Sequence, residues 1–594
     1  MKRLRSQLVL LSVVAGLVCL NSGFAQGTAP KNPDTFIEAT TNSVETLDPQ
    51  FMLSTATMEL SSNVYESLLT HPQNDMSALL PCLATTVPSI ANKLIRTTSD
   101  GTTFITFPIR KNVKFQDGSI LGPQDVAYTF KRAILVGGQS TGMGILCRNL
   151  LGEDSFDNLV KKVGYDEAYK QLDAIATVSG NSVTFRLPKP FVPFLGIMAD
   201  HGMEAGIFSK AWCIAQGDWP GTKETGQKFM NMKTEDDPLF KKMNGTGPFK
   251  LVTADFADRV VLEAFPQHWS GAPSIARVIR KIVPDNQTAI LQLKAGDVDF
   301  VGISVDEIGQ VKDATGVKVM ANLPSAWLMK INFVMDIASG SSYVGDGKLG
   351  PDGIPGNFFS DINVRKAFEY SFDWDTFIKD VFQGAALKPY GTVLIGFPTA
   401  NPNNPKYNFD LNMARDYFKK AWGGQLWDKG FKLTAVYSSG SKHRQMALEI
   451  LKDNIESLNP KFKIDLASLP WAGYVGAVQN KQLPLTLFGN LPTVFDPYQS
   501  LFENMDSAGG YADWGGYTEL AKKEFDPLVD IVASSYDSAK RKAASFKLQQ
   551  LYYDNALAIL YFQAVENVAF RDWVKGYVPG AHPTDVDYSQ ISKK

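Results

Sequence analysis

Cysteine and histidine are scarce in this chain. Its 594 residues include four cysteines and five histidines. Cys19 falls in an N-terminal apolar stretch, which leaves Cys82, Cys147 and Cys213. Three cysteines permit one disulfide at most, and their spacing matches no metal motif, so a disulfide-framed miniprotein is excluded. The simplest reading makes them small buried hydrophobes. His71, His201, His268, His443 and His582 are too scattered for an HExxH-type pair. A positive surplus is also missing, since 59 Lys+Arg face 61 Asp+Glu for a net charge of −2. Nothing is then available to neutralise a phosphate backbone, and no nucleic-acid partner is expected. Repeats and low-complexity blocks are absent. Hydrophobic residues at 44% and charged residues at 20% are ordinary globular values.

No apolar run is long enough to span a bilayer, which takes about 20 residues. The longest, Leu8 to Leu20, has 13 and follows Lys2, Arg3 and Arg5. Small residues Gly23 and Ala25 come next. This order reads as a secretory signal peptide over 1–25, cut after Ala25. Lipidation at Cys19 is disfavoured because Val18 precedes it where a small residue is usual. Losing three positive charges takes the mature chain to −5. An exported, periplasmic protein is expected.

Strand-like and helix-like segments alternate along the mature chain. Thr35 to Thr40 and Ser182 to Leu187 alternate polar and apolar residues as half-buried strands do. Met58 to Leu69 steps helically through Leu60, Val64 and Leu68. Thr102 to Val113 reads as a hairpin region. Pro123 opens a helix over Val126 to Leu135. Farther on, Phe431 to Tyr437 is strand-like. Ala447, Leu448, Leu451, Ile455 and Leu458 mark a helix, and Phe462 to Leu466 a second strand. This strand–helix–strand unit predicts a parallel pair, so the fold class is α/β. The segment 339–356, with six glycines and two prolines, reads as a surface loop. Its Asp346 and Asp352 lack the alternation and closing glutamate of an EF-hand.

Catalytic machinery is hard to find. Gly138-Gln139-Ser140-Thr141-Gly142 matches GxSxG, but a nucleophile elbow needs a preceding strand and here a helix precedes it. Gly440-Ser441-Lys442 lacks the upstream spacing of a phosphate loop. Asp297 and Asp299 read as solvated or capping residues at a helix-to-strand turn. No catalytic residue, metal ligand or cofactor is assigned. An exported α/β chain without catalytic groups favours a binder over an enzyme.

Seven ordered segments carry a resemblance. Leu47-Asp48-Pro49-Gln50 with Val64-Tyr65-Glu66-Ser67-Leu68 forms an LDP…vYExL opening. Pro108 to Gly118, followed by Asp125-Val126-Ala127 to Arg132, forms an LRxgVkFhDG…DVxfsxxR pattern. Asn244-Gly245-Thr246-Gly247-Pro248, Ala295-Gly296-Asp297-Val298-Asp299 and Val364-Arg365-Lys366-Ala367 complete the set. Together they resemble the extracellular solute-binding proteins of ABC importers, in the oligopeptide/dipeptide/nickel-binding cluster. The resemblance implies a two-lobed periplasmic-binding-protein fold with hinge strands and an extra subdomain in the first lobe. Lobe one would comprise 26–60, 181–285 and 563–594, its extra subdomain 61–180, and lobe two 286–562. It also implies a monomer that captures solute by cleft closure and partners ABC permease subunits in the inner membrane.

Carried over residue by residue, the resemblance places Leu53, Ser54 and Thr55 along the ligand's backbone. In lobe two Trp471, Gly489 and Pro497 hold the positions of the family's ligand-facing run, and Asn490 beside Gly489 would suit an uncharged ligand. The family's aspartate for a peptide's α-ammonium is Thr493 here, with Asp496 the nearest carboxylate. Val478 and Leu487 stand where some members carry basic residues. Phe488, Phe495 and Tyr498 would suit an uncharged, stacking ligand. Peptide is the first expectation, and an oligosaccharide is the alternative. A nickel complex or metallophore ranks below both. The rival of another class is a secreted serine hydrolase using Ser140.

Overall fold

The computed structural model describes residues 29–51, 54–72, 75, 78–137, 141–200, 205–492, 494, 496–579 and 586–594. The proposed signal peptide, Leu53, Ser140 and Thr493 therefore lie outside the described residues. The chain begins with β1 (Thr35–Thr40) and α1 (Thr55–Val64). The extra subdomain supplies β2 (Ile95–Thr97), β3 (Thr103–Pro108), α2 (Pro123–Val136), β4 (Ala176–Ser179) and β5 (Ser182–Leu187). Next come β6 (Phe249–Asp255), β7 (Arg259–Ala264), β8 (Arg277–Ile282), α3 (Asn286–Ala295) and β9 (Phe300–Ile303). Strand β10 (Val317–Phe333) crosses to the second lobe. That lobe holds β11 (Phe431–Ser438), α4 (Lys442–Leu458), β12 (Phe462–Leu469), α5 (Trp471–Gln479), β13 (Leu485–Asn490), α6 (Pro497–Met505) and α7 (Asp526–Ser534). Strand β14 (Ala558–Arg571) returns.

One nine-stranded sheet runs through both lobes in the order β13-β10-β14-β9-β1-β8-β7-β6, with the short strand Ala386–Leu387 beside β14. β1 is parallel to β8 and β9. β14 is antiparallel to β9 and to β10, in register from Val317↔Arg571 to Asn332↔Ala558. β10 and β14, 17 and 14 residues long, are the strands both lobes share. On one side, Ala39, Ala289, Leu293, Val301 and Ala569 form a core. On the other, Met329, Ile331, Phe368, Phe431, Leu448, Leu487 and Phe562 form the second lobe's core.

The local expectations stand close to the observed elements. α2 starts at Pro123 and ends at Gly137, whose φ of 71° suits a left-handed cap. β11 and β12 pair in parallel from Phe431↔Phe462, and the five apolar positions named on α4 are all buried. The helix expected over 58–69 starts earlier and stops at Val64. Two boundaries differ. β9 pairs with β1, and α3 packs Ala289, Ile290 and Leu293 on the same sheet, so 286–303 stands in lobe one's sheet, not in lobe two. β5 turns back on β4 and pairs with β3, which carries the extra subdomain past 180 to Leu187. Both differences come from long-range pairing, which leaves no trace in local periodicity. Asp299 differs too. It is buried and accepts from Ile37 N (2.8 Å), Trp573 Nε1 (2.7 Å) and Lys593 Nζ (2.9 Å), while Asp297 is exposed beside Lys31.

The LDP and DVxfsxxR segments meet inside lobe one. Arg132 is fully buried and reaches Asp48 (2.7 Å), Asp218 (2.5 Å), Gln50 Oε1 (2.7 Å) and Asp237 (3.4 Å). One guanidinium cannot balance three buried carboxylates. Burial and the neighbouring Asp48 push Asp237 up to about 8, so it is the carboxyl kept neutral. A carboxyl with this raised folded value holds its proton where the unfolded chain has lost it. Its contribution is complete below about pH 4, the unfolded value, and is lost as pH rises through about 8. Asp237→Asn copies the neutral acid. Its melting temperature should fall less than wild type's between pH 5 and 9, and parallel pH curves would contradict this assignment.

Candidate functional site

The first wall of the site lies at the carboxyl ends of the parallel strands β8, β1 and β9, where ligands of open α/β sheets bind. A cavity of about 360 Å³ opens there, within the range of small-molecule sites. Its wall is formed by Thr40, Thr41 and Asn42 after β1, Thr55 at the start of α1, Asn286 at the start of α3 and Gly302 in β9. Its floor is the crossing strand β14, through Val565, Glu566, Asn567 and Val568. A larger hollow of about 760 Å³ lies on the extra subdomain. It is lined by exposed helix ends whose charges pair locally, as Lys223 does with Asp166 (2.8 Å).

Buried charge sits at the cavity's edge. Glu38 from β1, Glu59 from α1 and Arg280 from β8 line it and are nearly inaccessible. Tyr588 donates toward Glu59 Oε1 (2.7 Å) and lies 2.9 Å from Glu38 Oε2. Arg280 lies 3.7 Å from Glu59 and 3.9 Å from Glu38, and it donates to Asn42 O (2.9 Å). Burial, and then Glu38, raise Glu59 well above the ordinary glutamate range, so Glu59 is the protonated partner. One carboxylate, one carboxylic acid and one guanidinium leave this group near neutral.

The ribbon is irregular beside the floor. Registers shift between Met320 and Leu323 and between Pro324 and Leu328. Asn322 takes a φ of 60°, which asparagine tolerates better than other side chains, and its N–H is accepted by Asn567 Oδ1 (3.0 Å). A bulge of this kind bends a strand and re-aims its side chains.

In the second lobe, Trp471, Gly489 and Asn490 lie at or next to the ends of β12 and β13. Trp471 follows β12 at the first position of α5 and is 51% exposed, with the Arg444 guanidinium 5.1 Å from its ring and Phe488 5.5 Å away. Gly489 has no room for a side chain: a Cβ would sit 2.7 Å from Leu328 O and 2.4 Å from Met329 Sδ. Asn490 is buried and donates to Glu503, while its Oδ1 accepts from Asn504 (3.2 Å). Glu503 also accepts from Gln499 (2.7 Å). Lys330, fully buried, is held by Asn504 and by the Tyr511 ring.

The expected residues thus fall into distinct places. Thr55 lines the cavity. Ser54 caps α1 and bonds Glu45 through its N–H (2.7 Å) and its hydroxyl. Asp496 caps α6 by accepting from Tyr498 N (2.8 Å) and is ion-paired with Arg541, so its carboxylate is already matched. Val478 and Leu487 are buried in apolar cores. The segment 138–142 follows α2, not a strand. Cys82, Cys147 and Cys213 are buried and unpaired. Burial pushes the Cys147 thiol up to about 12. Sequence reasoning missed Glu38, Glu59, Arg280 and Glu566. For Glu566 a signal existed: it is the one charged residue between Ala558 and Phe570, in a mostly apolar strand.

The lobes touch at a mouth away from the cavity. Val192 N donates to Ala533 O (2.7 Å), and the Phe191 and Tyr498 rings meet edge-on at 5.1 Å. Arg148 covers Phe502 at 4.8 Å.

Two α/β lobes on one shared ribbon, with a polar cavity at their crossing, define a two-lobed binding-protein architecture. The chain belongs to the bacterial extracellular solute-binding proteins, family 5, whose middle-region pattern matches residues 79–512. It is 23% identical to the dipeptide-binding protein of Escherichia coli (strain K12) over 92% of each chain. Among solved structures, HbpA2 from Haemophilus parasuis superposes with a TM-score of 0.71 at 20% identity, covering 94% of this chain and 100% of the other. DppA from Helicobacter pylori, in complex with the peptide STSA, gives 0.62 at 18% identity, covering 94% and 98%.

An edge-on aromatic pair contributes about 0.5–1.5 kcal/mol beyond its area burial. Phe191→Ala should therefore loosen the mouth. Small-angle scattering of the unliganded variant should give a larger radius of gyration than wild type, and equal radii would show that this contact does not hold the lobes together.

Proposed function

We propose that the mature chain is the periplasmic receptor of an ABC importer, capturing peptides between its lobes and presenting them to inner-membrane permease subunits. It acts as a monomer and performs no chemistry on its cargo. The leader, cleaved after Ala25, exports it. None of its described helices is long and apolar enough to cross a membrane.

The observation that carries this reading is the 360 Å³ polar cavity on the ribbon that both lobes share. The lining belongs to lobe one and the ribbon, so a ligand there that also met the second lobe on closure would favour one lobe arrangement over another. The relatives named for dipeptides and the peptide-bound fold neighbour support peptide as the cargo. Leu53, Ser54 and Thr55 would run beside the peptide backbone. Trp471 would offer an exposed face from the second lobe, and Gly489, Asn490 and Thr493 belong to the same expected set. Asp496, held by Arg541, stabilises α6 in place of serving the cargo's ammonium. An oligosaccharide is the weaker reading, because the cavity edge is built of charged groups.

Protein stripped of ligand by unfolding and refolding should gain thermal stability with peptides and not with neutral oligosaccharides. Saturation at 100 times Kd contributes about 2.7 kcal/mol. Trp471→Ala should cut the shift without lowering the unliganded melting temperature. Stabilisation by oligosaccharides alone would overturn the peptide reading.

A further inference from the structure

Every other carboxylate placed at this site is already matched. Glu38 and Glu59 share Arg280 and the Tyr588 hydroxyl. Asp496 pairs with Arg541, and Glu503, outside the cavity lining, accepts two hydrogen bonds from Asn490 and Gln499 and has the buried Lys330 ammonium acting on it. Glu566 differs. It lines the cavity from the crossing strand, and its single side-chain hydrogen bond comes from a neutral group, Ser325 Oγ, at 3.2 Å. Among the described residues no lysine, arginine or histidine pairs with it.

We infer that Glu566 is the ligand-binding carboxylate of this chain, taking the α-ammonium of a free-amine peptide at the ribbon between the lobes. The inference rests on the peptide reading above and names the residue that confers selectivity for a cationic terminus. An ammonium in a partly buried site without a carboxylate is costly. The position that the resemblance would assign to one is Thr493, which carries no charge. Glu566 supplies the charge from a different element, opposite Leu323 in the bulged stretch of β10.

The surroundings suit this role. Facing Glu566 are Ser325 from β10, Tyr577 from the C-terminal segment, and the near-neutral Glu38, Glu59 and Arg280 group from β1, α1 and β8. Burial pushes Glu566 up to about 7. A cationic ligand favours its ionised form, so binding near neutral pH expels a proton to solvent. Phe300 and Tyr577 add aromatic surface beside it.

The test is calorimetry on the stripped mature protein with tri-alanine and N-acetyl-tri-alanine, in two buffers of different ionisation enthalpy at pH 7. Wild type should prefer the free amine and release protons on binding it. Glu566→Gln, an isostere of the neutral acid, should keep the unliganded melting temperature. It should bind tri-alanine about 30-fold or more weakly, with no preference over the acetylated form and no proton release. Ser325→Ala should retain both the preference and the proton release. Tight tri-alanine binding with an unchanged amine preference in Glu566→Gln overturns the role of Glu566 and leaves the peptide reading intact. Binding of neither peptide, with stabilisation by oligosaccharides instead, overturns both.

Discussion

The structure depends on one backbone constraint, the antiparallel pairing of β10 with β14. These strands run far longer than any other in the sheet. Their lobe-one ends carry β9 and the core around Ala569 and Val301, and their far ends carry β13 and the core around Ile331 and Phe562. Each lobe is fixed to the ribbon by main-chain hydrogen bonds and apolar packing. Relative motion must then be absorbed where the ladder is irregular, at the register shifts around Asn322 and Pro324. The cavity floor is the strand opposite that irregularity. On the proposed function, binding and closure would draw on the same few residues, and a ligand would need only a difference in affinity between arrangements to shift them.

The motif residues that carry the resemblance serve the scaffold of this chain. Asp48 and Asp218 share the buried Arg132 guanidinium in lobe one. Glu66 accepts from Trp269 (2.9 Å) and Thr246 (2.7 Å), fastening the Asn244–Pro248 turn. Gly245 and Gly247 lie against the Val64 backbone, where a Cβ would approach within 2.0 and 2.8 Å of Val64 O. Arg365 is spent on the carbonyls of Phe359, Ser360 and Asn555. Buried charges of this kind are strongly destabilising when broken and need not add net stability when made. Their value lies in fixing where the cleft walls stand, which leaves the ligand-facing residues free to differ between members.

This division explains what the sequence made legible. Strands β1 and β5, helix α2 and the β11–α4–β12 unit follow local periodicity and punctuation, and their positions were readable to within a few residues. The two-lobed fold was readable because the scaffold motifs are specific. Membership of 286–303 in lobe one's sheet was not readable, since β9 finds its partners in strands far from it in sequence. The candidate site was legible only in part. Thr55 reaches the cavity, whereas Asp496, chosen as the nearest carboxylate to Thr493, is matched by Arg541 from 45 positions away. Glu566 left only the hint of a charged residue inside an apolar strand.

The central claim is that solute is held at the carboxyl ends of the lobe-one strands, against the crossing ribbon. Hydrogen–deuterium exchange of the stripped protein, with and without a stabilising peptide, tests it most directly. Slowed exchange should appear in segments 38–42, 55–59, 300–303 and 565–568. Unchanged exchange there, with protection confined to the surface hollow at 163–170, would contradict the account.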